Sequence, residues 1–452
     1  MNGPVTAIIW FRRDLRVADN PALSAACARA DRVVPVYLHA PEEDGDWAPG
    51  AASRWWLHHS LGRLDARLGR LGAPLLVRRG PSAEALLALA RETGATRVHW
   101  NRLYEPLAAS RDAAVAARLA EAGLAVETAN AAMFVEPDGP RTATGGPYRV
   151  FTPYWRACLP RLDEQPAPRP APARIAGVPG LKGLGIDELG LLPAIRWDAG
   201  LDAAWTPGED GAQSRLEAFC GHALGRYADG RDRPDLDGVS RLSPHLHFGE
   251  VGPRQCLAAV RAQLQQRGSD ARGADAFLRE LGWREFARHV LHHHPHTTTA
   301  PLDPRFDRFE WDDDPRLLRA WQLGRTGYPL VDAGMRELWT TGFMHNRVRM
   351  VVASLLTKNL RQHWLQGARW FWDTLVDADL ANNTLGWQWV AGCGADAAPY
   401  FRIFNPDLQA ARHDPDGAYL RRWLTEPPPL APVVDFRESR AAALDAYARL
   451  KR

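Results

Sequence analysis

The chain has 452 residues, 46% hydrophobic and 24% charged, with a formal charge of only +3. That is the make-up of a globular protein with room for two or three domains, and a nucleic-acid partner would have to be met by local clusters of arginine because the overall field is weak. No run of about 18 uncharged apolar residues is present, so no membrane span is expected.

The N-terminus, MNGPVTAIIWFRRDLR, lacks the charged, apolar and small-residue order of a secretory signal. Cys27, Cys158, Cys220, Cys256 and Cys393 are scattered and odd in number. They form neither a disulfide framework nor a zinc spacing and suit a reducing cytoplasm.

The first part of the chain alternates strand and helix signals. Ala7–Phe11 and Arg32–Leu38 are short, apolar and β-branched, as buried parallel strands are, and Leu75–Val77 and Arg97–Trp100 extend the series. Amphipathic stretches at Pro21–Ala30, Ser53–Leu71 and Ser82–Glu92 separate them. This alternation predicts an α/β doubly wound parallel sheet of Rossmann type. Neither G-x-G-x-x-G nor a P-loop motif occurs.

Around residue 160 the composition changes. Gln165–Gly185 is rich in Pro, Ala and Gly and reads as an extended linker. From about Trp205 the pattern becomes all helical. Ala271–His293, Pro315–Leu323, Asp332–Asn359 and Arg361–Val376 carry apolar residues at three-to-four spacing. The predicted division is an α/β domain over 1–130, a linker over 131–204 and an all-α domain over 205–452.

Chemistry concentrates in the helical part. Nine of the 18 tryptophans lie between Trp283 and Trp389. Most must be core, yet such a density also suits a chromophore site or an electron path. Asn346, Arg349 and Met350 fall at i, i+3 and i+4, placing an amide, a cation and a thioether on one helical face. A salt-bridged surface helix accounts for that face equally well. Glu280, Trp283 and Arg284 repeat the spacing, either as an exposed ion pair or as a platform for a base.

The run Asp377–Trp389, DADLANNTLGWQW, sets two carboxylates and two amides beside Trp387 and Trp389. A turn would bring the two indoles together, whereas a helix would splay them apart. Asp377 or Asp379 suits a helix cap. The histidine run His292–His294 with His296 lacks the spacing of a tetrahedral site, so no metal is expected.

Taken together, WFRRDLRVADNPAL, SRLSPHLHFGE, LGWREF, TGYPLVDAGMRELWTTGFMHNRVRM and DADLANNTLGWQW followed by DAAPYFRIFNP resemble the photolyase–cryptochrome family, in order and spacing, from about residue 7 to about 425. The resemblance implies an antenna domain, a linker and a helical domain holding bent FAD. It places Tyr227 and the turn Ser240, Arg241, Leu242 and Ser243 at the FAD phosphates. Arg284 falls near the cofactor, and Asn346 and Arg349 along the flavin rings. Asp377 and Asp379 fall at the flavin edge and ribose, and Asn383 at N5.

The same resemblance puts Glu280, Trp283, Met350 and Trp389 around a flipped-out pyrimidine dimer. Arg231, Arg284 and Arg402 become candidates for DNA phosphates or for structural pairing, and Trp387, Trp364 and Trp311 an electron chain to the surface. The implied reaction is light-driven electron donation from reduced FAD to a cyclobutane dimer in UV-damaged DNA, by a cytoplasmic monomer.

Within the family, six-four enzymes usually carry His, and DASH-type cryptochromes Gln, where this chain has Met350. Plant cryptochromes usually have Asp at the position of Asn383 and a long tail, whereas about thirty residues follow Trp423 here. A neutral amide favours the anionic reduced flavin that an ionised carboxylate would repel. These cues point to dimer repair, with a blue-light photoreceptor acting through a protein partner as the alternative. Val239 replaces a common Thr before Ser240. Leu107 and Ala108 stand where some folate binders have Asn–Glu, so the expected antenna is methenyltetrahydrofolate in a shifted site near Glu42, Glu43 and Trp55, with a deazaflavin as the alternative.

Overall fold

The computed structural model describes residues 3–267, 271–397, 401–425 and 431–450. Five parallel strands, β1 (Thr6–Phe11), β2 (Arg32–His39), β3 (Leu76–Arg79), β4 (Arg97–Asn101) and β5 (Ala125–Ala129), form one sheet in the order β3-β2-β1-β4-β5. Every residue of β1 is buried, as a central strand covered on both faces must be. The helix Pro21–Arg29 opens with the side chain of Asn20 accepting from Leu23 N–H, which is a sequence-visible cap followed by Pro at the first helical position.

Sequence reasoning finds four of these strands and misses β5 together with the helix Pro106–Glu121 that precedes it. β5 is an edge strand with no buried residue and little apolar signal.

The predicted linker over 131–204 needs correction. It contains the helix Phe151–Asp163, whose Phe151, Tyr154, Trp155, Cys158 and Leu162 are buried in the core of the helical domain. Gly282 lets this helix approach, since a Cβ there would stand 2.5 Å from the Trp155 ring. The stretch 165–185 carries no helix or strand, as expected, but it is strapped to the α/β domain. Ile175 N–H donates to Leu71 O, Val33 N–H to Ala176 O and Leu184 N–H to Val77 O.

The remainder is helical. The predicted segment Asp332–Asn359 is broken into Pro329–Thr341 and Asn346–Ser354, because Gly342 adopts the left-handed cap conformation (φ 65°). The helix Leu380–Ala391 crosses Trp364–Thr374 closely enough that a Cβ on Gly367 would lie 2.1 Å from the Trp387 ring.

Behind this crossing sits Lys358, fully buried, donating to Ala391 O at 2.6 Å with its ammonium 3.1 Å from the Phe401 ring centroid. Burial drives its pKa well below the ordinary lysine value. The unfolded chain therefore binds more protons than the fold between that lowered pKa and about 10.4, and stability must rise with pH across the window. Replacing Lys358 with Met is expected to raise stability at pH 7 and to flatten this rise. Urea midpoints at pH 7 and pH 9.5 for both proteins measure it, and parallel curves would show that the amine stays charged in the fold.

Candidate functional site

A cavity of about 710 Å³ opens within the helical domain. Tyr227, Arg231, Ser240, Arg241, Ser243, Glu280, Trp283, Arg284, Asn346, Arg349, Met350, Asp377, Asp379, Asn383, Trp387, Trp389 and Arg402 all line it, so residues spread over nearly two hundred positions converge on one space. Leu242 does not. It is fully buried in the core, and its N–H donates to Ser240 Oγ at 3.4 Å, because the turn that aims Ser240 and Arg241 at the cavity turns the intervening apolar side chain inward.

The helix Leu380–Ala391 organises one wall. Asp379 caps it, accepting from Asn382 N–H at 3.0 Å, and meets Arg288 at 2.5 Å. Burial alone would raise this carboxyl, yet Arg288, His247 and Arg284 hold it well below the usual range. Trp387 and Trp389 splay apart, as helical spacing requires. Trp387 is buried against Phe371 (5.0 Å) and Trp321 (6.1 Å), while Trp389 donates to Asp396 O and lies under the Arg402 guanidinium at 5.1 Å. Asn383 commits its Nδ2 to Ala368 O at 2.9 Å, and its carbonyl oxygen takes no hydrogen bond among the described residues.

The i, i+3, i+4 face of Asn346–Ser354 does look into the cavity. Arg349 donates to both Asp377 oxygens at 3.1 and 2.9 Å and to Met344 O at 2.6 Å. Met350 lies 3.7 Å from the Arg347 guanidinium, which pairs with Asp232 at 2.8 Å. Sequence reasoning does not single out Arg347, although its place in the HNRVRM run is a signal. Glu280 pairs with Arg231 at 2.5 Å, and burial, the strongest influence, leaves its pKa raised despite that cation. Trp283 stacks on Phe151 with centroids 3.8 Å apart.

Arg284 is a structural cation whose guanidinium donates to Ala132 O and Leu246 O. Burial lowers it to about 10. Trp364 is buried behind the cavity and outside its lining. His363 bridges toward Trp311, at 5.6 Å from Trp364 and 5.0 Å from half-buried Trp311. Trp321, fully buried against Trp387, is a ring that sequence reasoning passes over.

The donor set suits a flavin dinucleotide. Arg241 has φ 51°, stands over Trp205 at 4.5 Å and over Phe343 at 5.0 Å, and carries a buried Nε with no hydrogen-bond partner. Such an orphaned cation beside Ser240, with Arg349 over the same Phe343 at 5.3 Å, asks for an anionic ligand such as a pyrophosphate.

A second cavity, about 430 Å³, lies beyond the carboxyl ends of β1 and β2, where ligands of such sheets sit. Trp10, Tyr37, Glu43, Asp44, Trp47, Leu107, Ala108 and Arg111 contribute to it. Glu43 accepts from Ser82 N–H (2.7 Å) and Oγ (2.5 Å), and Arg111 stands 3.6 Å from Asp44. Two sequence-based choices need correction here. Trp55 is a core residue packed on Trp56 and His59, on the inward face of its helix, and Glu42 is exposed outside the lining. Among the described residues no His, Cys, Asp and Glu cluster could hold a metal, and no helix is long and apolar enough to cross a membrane. Residues 398–400 of the DAAPYFRIFNP motif lie outside the described residues.

Residues 277–433 match the family described as the FAD binding domain of DNA photolyase, and residues 7–173 match DNA photolyase. The chain is 42% identical to a deoxyribodipyrimidine photo-lyase of Agrobacterium fabrum over 98% of both chains. It is 41% identical to Cryptochrome-2 of Arabidopsis thaliana over 93% of this chain and 70% of that one. Among solved structures, a bacterial class III photolyase from Agrobacterium tumefaciens superimposes with a TM-score of 0.94 at 41% identity, covering 100% of this chain and 98% of that one. An archaeal photolyase from Sulfolobus tokodaii with two FAD molecules gives 0.83 at 27%, covering 98% and 100%.

The Asp379–Arg288 pair yields a stability prediction. Asp379→Asn keeps a good capping side chain but leaves Arg288 a buried, unpaired cation, and should lower unfolding free energy by about 3–5 kcal/mol. Asp379→Ala should cost about 1 kcal/mol more. Denaturant titration of the three proteins reads both differences, and a loss below about 1 kcal/mol for the Asn variant would refute the pairing argument.

Proposed function

The chain belongs to the photolyase–cryptochrome family, and from that premise we propose that it is a light-dependent DNA repair enzyme, a deoxyribodipyrimidine photo-lyase that splits cyclobutane pyrimidine dimers. One observation carries this reading. Glu280, Met350, Trp283, Trp389 and Asn383 line a single cavity together with the residues suited to a flavin dinucleotide.

FAD bound there in its reduced form would supply, on absorbing blue light, the electron that opens the dimer, and would take it back once the ring has split. The protein does the rest. Arg241 and Ser240 hold the pyrophosphate. The Asn383 carbonyl oxygen, with its amide held by Ala368 O, would be free to accept from the flavin and would add no negative charge, which favours a reduced anion. Trp283, stacked on Phe151, and Trp389, under Arg402, would bracket a flipped-out pyrimidine dimer by stacking. Glu280 binds the pyrimidine edge. With Arg231 beside it at 2.5 Å, it would stabilise charge developing on the pyrimidine, a preorganised field that water could not match. Arg347 and Arg402 meet the flanking DNA phosphates. Trp387, Trp364 and Trp311 provide oxidisable indoles from cavity to surface.

The second cavity takes an antenna chromophore. Its aromatic walls and Arg111 suit methenyltetrahydrofolate, with a deazaflavin as the alternative.

Blue-light illumination of the reduced protein with a thymine-dimer oligonucleotide is expected to restore the two thymines, assayed by chromatography. Intact dimer after illumination, with light-dependent capture of a protein partner instead, would replace this reading by a photoreceptor. Glu280→Ala should lower repair yield per photon about tenfold while weakening dimer binding less than threefold, and the opposite split would make Glu280 a positioning group only. Trp387→Phe is expected to slow light-driven reduction of bound oxidised FAD at least tenfold while chemically reduced protein still repairs. Equal loss of both activities would contradict a separate indole path.

A further inference from the structure

The two cavities share a wall that is one residue thick. It consists of two short segments, Leu246–Phe248 and Asp377–Leu380. In the first, Leu246 lines the flavin-type cavity, Phe248 the second cavity, and His247 both. In the second, Asp377 and Asp379 line the former, Leu380 the latter, and Ala378 both. No second layer of side chains intervenes at His247 or Ala378.

The polar groups of this wall are not interchangeable. Asp379 is committed to Arg288 and to the cap of Leu380–Ala391, the helix that carries Asn383 and Trp387 into the cavity. His247, buried, holds its Nδ1 3.6 Å from Asp379 Oδ2, just beyond hydrogen-bond reach, and that nitrogen has no other partner. A shift of about half an ångström closes this gap. An occupant of the second cavity that touches the imidazole therefore either drives it onto Asp379 or draws it away. In both cases the change arrives at the first turn of the helix that holds the flavin-facing amide.

We propose that His247 is a positioning residue that couples the two cavities, so that a planar heteroaromatic ligand in the second cavity tightens or loosens FAD in the first through Asp379. This rests on the reading of the second cavity as a chromophore site. The coupling is a property of binding and is reciprocal: whatever factor the second ligand imposes on FAD, FAD imposes on the second ligand. It requires no transfer of light energy and operates in the dark.

The test uses FAD-loaded protein kept dark. FAD release into an excess of an FAD-specific apo-oxidase is timed with and without saturating methenyltetrahydrofolate, and 8-hydroxydeazaflavin serves as a second probe. In the unmodified protein the bound probe is expected to change the release rate at least threefold. His247→Leu, measured at a probe concentration shown by titration to saturate that variant, should show no change in release. His247→Gln, which restores a hydrogen-bonding side chain of similar reach, should recover the effect. A purely structural histidine would alter the basal release rate but leave the probe-induced ratio intact in all three proteins. Binding of a probe without any change in release, or an unchanged ratio in His247→Leu, would overturn the coupling while the chromophore reading stands. If neither probe binds, the chromophore reading and the coupling fall together.

Discussion

One buried carboxylate fixes the geometry on which the rest depends. Asp379 enters the interior because Arg288 meets it at 2.5 Å, and it stays there because its other obligation is to start the helix Leu380–Ala391. A buried charge without a partner costs several kcal/mol, so neither residue can move without the other. From that anchor the helix sets Asn383, Trp387 and Trp389 at their angles, and Gly367 lets the neighbouring helix close on the Trp387 ring. This wall of the cavity is thus determined by an ion pair and a missing side chain, with the aromatic residues positioned as a result.

Most charged groups elsewhere in the cavity have an opposite neighbour, and Arg284 is met instead by two backbone carbonyls. Arg349 has Asp377, Arg347 has Asp232, and Glu280 has Arg231. Arg241 has aromatic faces and an orphaned Nε. Under the proposed function this exception is where the FAD pyrophosphate would sit, so that a chain of net charge +3 could hold an anionic cofactor by local charge.

Much of this was legible in the sequence where local pattern and tertiary environment agree. The central strands read correctly because burial on both faces leaves an apolar run, and Asn346, Arg349 and Met350 share a face because helical spacing demands it. The failures have physical causes. β5 carries no buried residue and so leaves no hydrophobic trace. Phe151–Asp163 ends close to a Pro-rich stretch, which masks a helix whose inner face is core. Leu242 follows the cavity-lining Ser240 and Arg241, but a tight turn sends neighbouring side chains in opposite directions. Trp55 sits in a stretch with the right composition for a ligand site, yet its helix presents that position inward. Sequence motif identifies which segment forms a site; which side of the segment faces it is decided by packing partners far away in the chain.

The strap formed by residues 165–185 changes what counts as a separable piece of this molecule. Its backbone is hydrogen-bonded to β2, to β3 and to the end of a long α/β-domain helix, and Ile175 is buried there. A fragment ended at residue 130 would therefore present an unfilled apolar groove and open backbone acceptors, inviting association with other copies. The natural excision point falls instead after the strap, near residue 185, but such a fragment also carries Phe151–Asp163 stripped of its helical-domain partners. Neither cut therefore frees a self-contained α/β unit.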